Sequence, residues 1–228
     1  MSQTADQVPA WTNIRIAISN LLQKYRGLLI VVVAVLLVVV AGVAIWTQID
    51  AATKNTFAAK IEKSQTDYGT WLVEADDKKA DAGKTLEADL TEIEKSAPSG
   101  YGLAKAWFLH GNYFSAQKQW TQASDAFHKA FEADKTSYLA PISLVNAAVS
   151  KEQAGDTDGA LKVYAEFESH FAADSVLAPQ VFFTEGRLLE SQSKLDDAVA
   201  AYKKLLQKFP ESGWTKLGRD RILLLSRD

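Results

Sequence analysis

Hydrophobic positions follow two regimes along this chain. From Gly27 to Trp46 they are continuous: the twenty residues GLLIVVVAVLLVVVAGVAIW include no charged or strongly polar side chain. At about 1.5 Å per helical residue such a run spans roughly 30 Å, the thickness of a bilayer's hydrocarbon core. Val and Ile are mediocre helix formers in water, but in lipid the backbone has no other hydrogen-bond partner. The run therefore predicts a transmembrane helix over 27–46, bracketed by Tyr25 and Trp46 as interfacial aromatics. Beyond it, apolar residues recur at spacings of three and four, the period of amphipathic helices.

The run is longer than the core of a cleavable signal peptide, and 26 residues precede it, so an uncleaved anchor is expected. Lys24 and Arg26 sit at its N-terminal edge with Arg15 behind them, whereas the other flank opens with Asp50 and has its first Lys at 54. That bias places residues 1–26 in the cytoplasm and, in a bacterial inner membrane, residues 47–228 in the periplasm. Within 1–26, Trp11, Ile14, Ile18, Leu21, Leu22 and Tyr25 form one apolar helical stripe. It either lies in the headgroup region or simply extends the spanning helix.

The remainder contains an internal repeat. Trp107, Gly111, Phe114, Ala123, Phe127 and Ala130 are matched in spacing by Phe182, Gly186, Leu189, Ala198, Tyr202 and Leu205, with Pro210 following. Leu144, Ala148, Ala160, Tyr164 and Phe167 keep the same frame between them, so that Ala123, Ala160 and Ala198 stand 37 and 38 residues apart. This spacing describes a helical hairpin. A small residue in the first helix admits the second closely, and an aromatic one turn after the second helix's small residue fills the gap. Polar turns are expected at 117–122, 155–158 and 193–196. Each hairpin leaves an apolar face open, so neighbours must stack.

These residues resemble the tetratricopeptide repeat, W-x2-L-G-x2-Y, then A-x3-F, then P. AWFLHGNYFSAQKQWTQASDAFHKA carries His110 in the Leu slot, and VFFTEGRLLESQSKLDDAVAAYKKLLQKFP carries Glu185 there. SLVNAAVSKEQAGDTDGALKVYAEF has Lys151 where its first helix would carry an aromatic. The resemblance implies repeats over about 104–135, 141–172 and 179–210, with inter-repeat turns longer than usual. Phe57, Ile61, Tyr68, Trp71 and Leu72 mark a helix from about 49 to 74; a turn at 76–83 follows, then a helix through Leu86, Leu90 and Ile93. This pair reads as a divergent hairpin within 47–100. Trp214, Leu217 and Leu224 mark a final helix capping the last repeat. The expected fold is all-α, a single N-terminal transmembrane helix followed by a solenoid of tetratricopeptide-like hairpins.

In layout the chain is similar to a bacterial family that includes the ancillary subunit of the SecYEG translocon. That resemblance implies protein partners such as the translocon or periplasmic chaperones, without catalysis. YKKLLQKFPESGWTKLGRDRIL is also similar to the repeat domains of outer-membrane assembly and division-coordination proteins, which implies a periplasmic scaffold. An organelle import receptor with cytosolic repeats has the opposite orientation. By the family's motif positions, the groove that receives peptides is lined by Phe108, Asn112 and Ser115, by Val145, Asn146 and Val149, and by Phe183, Arg187 and Glu190. The carboxylate clamp of chaperone-binding members maps onto Phe108, Asn112, Asn146, Gln180 and Thr184; its cations are missing, so that mode is rejected. The groove is expected to take an apolar helix or extended segment, or else to pack against the chain's own flanking helices.

Composition narrows the chemistry. The 228 residues hold no Cys, which removes disulfides, thiolate metal sites and thiol nucleophiles. Residues 1–46 carry Arg15, Lys24 and Arg26 against Asp6, leaving −5 to the rest of a chain whose net charge is −3. With no basic footprint, a nucleic-acid partner is not expected. No nucleophile–base pair or phosphate-cradling glycine loop is visible, so no enzyme activity, cofactor, metal or small-molecule substrate is expected. Asp156 with Asp158, and Asp196 with Asp197, lack the calcium-loop spacing and read as helix caps. His110 reads as a satisfied packing residue, and His128 and His170 as exposed helix positions.

Overall fold

The computed structural model describes residues 21–226 together with Arg15, Ile18 and Ser19. Among the described residues, nine helices follow from Arg26 onward: α1 (Arg26–Val73), α2 (Asp76–Ser96), α3 (Tyr101–Ala116), α4 (Trp120–Ala133), α5 (Leu139–Gln153), α6 (Thr157–Phe171), α7 (Ala178–Ser191), α8 (Leu195–Lys208) and α9 (Gly213–Leu225). No strand occurs among the described residues, so the fold is all-α. Of the N-terminal stripe, Trp11 and Ile14 lie outside the described residues, whereas Ile18, Leu21, Leu22 and Tyr25 are exposed.

The chain divides into two compact units at Thr53 and Lys54. In the first, the whole run from Gly27 to Trp46 is helical and exposed. A helix apolar on every side has no stable place on an aqueous surface, and this one is long and apolar enough to cross a membrane.

In the second unit, α3–α4, α5–α6 and α7–α8 are helical hairpins. Their turns are tighter than the sequence pattern suggests, 117–119, 154–156 and 192–194, because helix resumes at Trp120, Thr157 and Leu195. Each turn bends at a middle residue with positive φ: Lys118 at 60°, Gly155 at 79° and Ser193 at 59°. Only Gly occupies this left-handed region without steric cost from Cβ. Lys118→Gly and Ser193→Gly are therefore expected to stabilise the domain by about 0.5–1 kcal/mol each, after the extra unfolded-state entropy of glycine is subtracted. Chemical denaturation of the two variants beside Gly155→Ala, which should lose stability, checks this.

The chain reverses before α2 at Glu74 and Ala75, and the stretch 76–83 is the start of α2 rather than a turn. Asp76 and Asp77 lie in its first turn, where carboxylates complement the helix dipole. Gly83, which reads as a turn residue, sits at a close crossing: a Cβ there would lie 2.9 Å from both Trp71 Nε1 and Tyr113 Oη. Trp71, Leu86, Leu90, Leu109 and Tyr113 form one core cluster, and Ile61, Ile93 and Ala106 a second. The largest cluster runs through the later helices, from Phe131 and Leu144 to Phe182 and Leu205.

Of the three residues that mark the final helix, only Trp214 packs inward. Leu217 and Leu224 remain 47% and 51% exposed. Contact is made by the expected Trp214, which packs against the main core, and beyond it by buried Thr215 and by Gly218, whose missing side chain leaves room for Leu205 and Leu206. Small residues permit closer approach than leucines do, and they decide which face turns inward.

Candidate partner-binding groove

Close helix contacts position the first helix of each hairpin. A Cβ on Gly111 would meet the Phe127 ring at 2.6 Å, and one on Gly186 would meet the Tyr202 ring at 2.4 Å. Ala148 holds the corresponding place in the middle hairpin and is fully buried, as are Ala123, Ala130, Ala160 and Ala198. Tyr164 is buried opposite Ala148's helix in the main core. Trp107 and Phe114 are only half-buried, the former with Lys129 Nζ 4.3 Å above its ring. Pro210 is exposed in the turn after α8.

With the hairpins so fixed, the groove residues fall on α3, α5 and α7, and they divide into two kinds. At the C-terminal end the chain occupies its own surface. Phe183 packs between Tyr202 and Trp214, with ring centroids at 5.5 and 5.3 Å. Arg187 does not pair with Glu190 on its own helix; it donates to Glu152 of α5 at 2.7 Å. Glu190 instead accepts from Arg221 of α9, which holds its carboxyl below the usual carboxylate range. Val145 is buried in the main core, and of its neighbours Asn146 is half-buried and Val149 is 39% exposed.

At the N-terminal end the surface is open. Tyr68 of α1, Lys105, Phe108 and Asn112 of α3, and Tyr138 and Leu139 at the start of α5 line a cavity of about 260 Å³. Phe108 forms its floor and leans edge-on against Phe127 at 5.3 Å. Tyr138 is 73% exposed, its hydroxyl 2.6 Å from that of Tyr101. Ser115 lies one turn beyond Asn112 and is half-buried. Tyr68, Lys105, Tyr138 and Leu139 are missing from the motif-derived set. Tyr68 and Tyr138 lie outside the repeat frame, and only the approach of α1 and of the α4–α5 turn brings them beside Phe108.

Two polar residues in the repeat's Leu slot have partners one hairpin back. His110 is buried, its Nδ1 2.7 Å from Glu94 Oε1 and its ring stacked on Phe114 at 4.2 Å. Glu185 is buried beside Glu168, which is paired with Lys204. Burial, and then the hydrogen bond to Glu168, push the Glu185 carboxyl up to about 9. Glu185 is thus protonated at neutral pH and can donate its proton in the hydrogen bond to Glu168. An unfolded chain loses that proton near 4.5, so this group's stabilisation is complete below 4.5 and declines as pH rises toward 9. Glu185→Gln keeps the shape and the donor. It is expected to raise the melting temperature at pH 8 by roughly 2–6 °C and to flatten its fall between pH 5 and 9; scans of both proteins across that range test it.

The remaining polar groups read as structural. Asp156 caps α6, its side chain accepting from Gly159 N at 2.9 Å, and Asp158 follows in the first turn. Asp196 and Asp197 lie inside the first turn of α8 rather than at its cap. His128 is half-buried and pairs with Glu166 at 2.9 Å, joining α4 to α6. With Glu132 these groups place three possible metal-ligand atoms within 4.8 Å of one another. Glu132 is already engaged by Lys135 at 3.0 Å, so the group behaves as an ion-pair network. His170 is exposed and lies against Phe131.

Comparison with known proteins agrees with this architecture. A TPR repeat-containing protein of Treponema pallidum (strain Nichols) is 31% identical over 144 residues, covering 61% of this chain and 59% of that protein's own length. Stacked hairpins of this kind point to a protein–protein interaction module. The family model described as a tetratricopeptide repeat-like domain matches residues 20–222, well over half of the chain, and the chain belongs to that family.

Proposed function

We propose that the protein is a membrane-anchored interaction module that binds protein partners through the N-terminal half of its groove. The observation that carries this reading is the cavity around Phe108, whose walls are aromatic and open, in contrast to the half closed by Trp214 and Arg221. Large apolar anchors dominate interface energies, and an open aromatic floor suits them. The helical apolar run 27–46 supports a single-pass anchor, and Lys24 with Arg26 supports a cytoplasmic N-terminus. The repeats then stand in the periplasm of a bacterial cell. There they serve translocation, chaperone handover or envelope assembly, and the translocon and periplasmic chaperones are the partners to test.

The experiment has two parts. Alkaline phosphatase fused after Asp228 should be active in a bacterial host; an inactive fusion together with an active cytoplasmic reporter at the same point overturns the topology. Proteins that co-purify from detergent-solubilised membranes should be lost from Tyr138→Ala, which removes an exposed ring. Their undiminished recovery moves the binding surface away from this groove.

A further inference from the structure

The open cavity carries more than an apolar floor. Lys105 is its one charged lining residue, and among the described residues no carboxylate pairs with it. Several other cations of the second unit are engaged by carboxylates, Lys60 with Glu92, Lys63 with Asp67 and Asp89, Arg187 with Glu152, Lys204 with Glu168, and Arg221 with Glu190, so what distinguishes Lys105 is its place in an aromatic-lined cavity. An unpaired ammonium beside Tyr68, Phe108, Tyr138 and Leu139 combines a positive charge with a low-polarity wall, where an opposite charge is attracted more strongly than in open solvent. The Asn112 side chain adds an amide to the same rim.

We infer that this cavity recognises an acidic–apolar peptide segment of the protein partner: one large apolar side chain seated on Phe108 between Tyr68 and Tyr138, next to a carboxylate that pairs with Lys105. This rests on the proposed use of the groove for partner binding and names the chemistry of what it takes. The geometry differs from capture of a chain terminus by the repeat's clamp positions. Lys105 stands one turn before the slot held by Phe108, so the recognised carboxylate is a side chain alongside an anchored residue. The volume, about 260 Å³, suits one such anchor and little else. Charge complementarity favours this occupant over a basic or a purely apolar one, because Lys105 would repel the first and be left desolvated and unpaired beneath the second.

The test uses the full chain in lipid nanodiscs against a displayed library of random twelve-residue peptides, with empty nanodiscs for counter-selection. Enriched peptides should carry Asp or Glu within two residues of Leu, Phe, Trp or Tyr, and Tyr138→Ala should abolish their binding. Fluorescence anisotropy of the enriched peptides should show binding weakened about 3–10-fold by Lys105→Met, with most of the salt dependence gone. Lys105→Glu should weaken it further and should restore binding to the same peptides with the acid changed to Lys. That rescue also shows that the variant is folded. Enrichment without acidic bias, or acidic peptides indifferent to Lys105→Met, overturns the charge recognition while leaving the groove in use. Failure to enrich any peptide sensitive to Tyr138→Ala overturns the groove reading and this inference together.

Discussion

Replacing Gly111 and Gly186 together by leucine is expected to abolish the cooperative thermal transition of the detergent-solubilised chain. Each glycine lies where even a Cβ would stand 2.6 Å or 2.4 Å from an aromatic ring of the hairpin's second helix. Those rings, Phe127 and Tyr202, are themselves buried and have nowhere to retreat. Overpacking at such sites costs about 1–3 kcal/mol or more apiece, against a total stability of about 5–15 kcal/mol for a domain. Because hairpins in a stack support their neighbours, losing two of them removes interfaces as well as internal contacts. Gly69 provides the control, since a Cβ there meets nothing within 4 Å and Gly69→Ala should melt at or slightly above the parent temperature. If the double variant also melts like the parent, the hairpins do not pack through these glycines.

Phe183→Glu should release the C-terminal helix from the last hairpin. The Phe183 ring is the shared partner of Tyr202 and Trp214, so the substitution removes one aromatic wall of the α7–α8–α9 junction. Truncating a fully buried Phe costs about 3–5 kcal/mol, and a half-buried one roughly 2–4. Hydrogen exchange should accelerate across Gly213–Leu225 while α2 and α3 stay protected. The C-terminal segment should also become a preferred protease site. Uniform protection across α9 would show that Phe183 is free to serve partners instead. Substitutions at Phe183 therefore report on folding, and Tyr138 is the cleaner probe of binding.

Much of this architecture is legible in the residue pattern because its determinants are local. A twenty-residue run without a polar side chain is long enough to span a bilayer, and in lipid, where the backbone has no other hydrogen-bond partner, helix is its one viable conformation. The order of small and aromatic residues, Gly111 with Phe127 and Gly186 with Tyr202, encodes hairpins because helical periodicity alone places them face to face. Asp156 as the cap of α6 follows from a side chain acting within three residues of itself.

Other features depend on distances that no local pattern carries. Gly83 resembles a turn residue until Trp71 and Tyr113 are brought against it, and α9 packs Thr215 and Gly218 inward beside Trp214 where hydropathy favours Leu217 and Leu224. Polar residues in the Leu slot, His110 and Glu185, are visible in sequence, but Glu94 and Glu168, which make their burial tolerable, lie 16 and 17 residues upstream on another hairpin. The groove shows the same division. Motif positions locate its lining on α3, α5 and α7, but burial depends on which helix end stands opposite. Tertiary packing closes the Phe183 end with the chain's own tail and leaves the Phe108 end open beside Tyr68, Tyr138 and an unpaired Lys105. Periodicity determines which face a residue joins, whereas only the assembled stack decides whether that face meets the chain itself or is left for a partner.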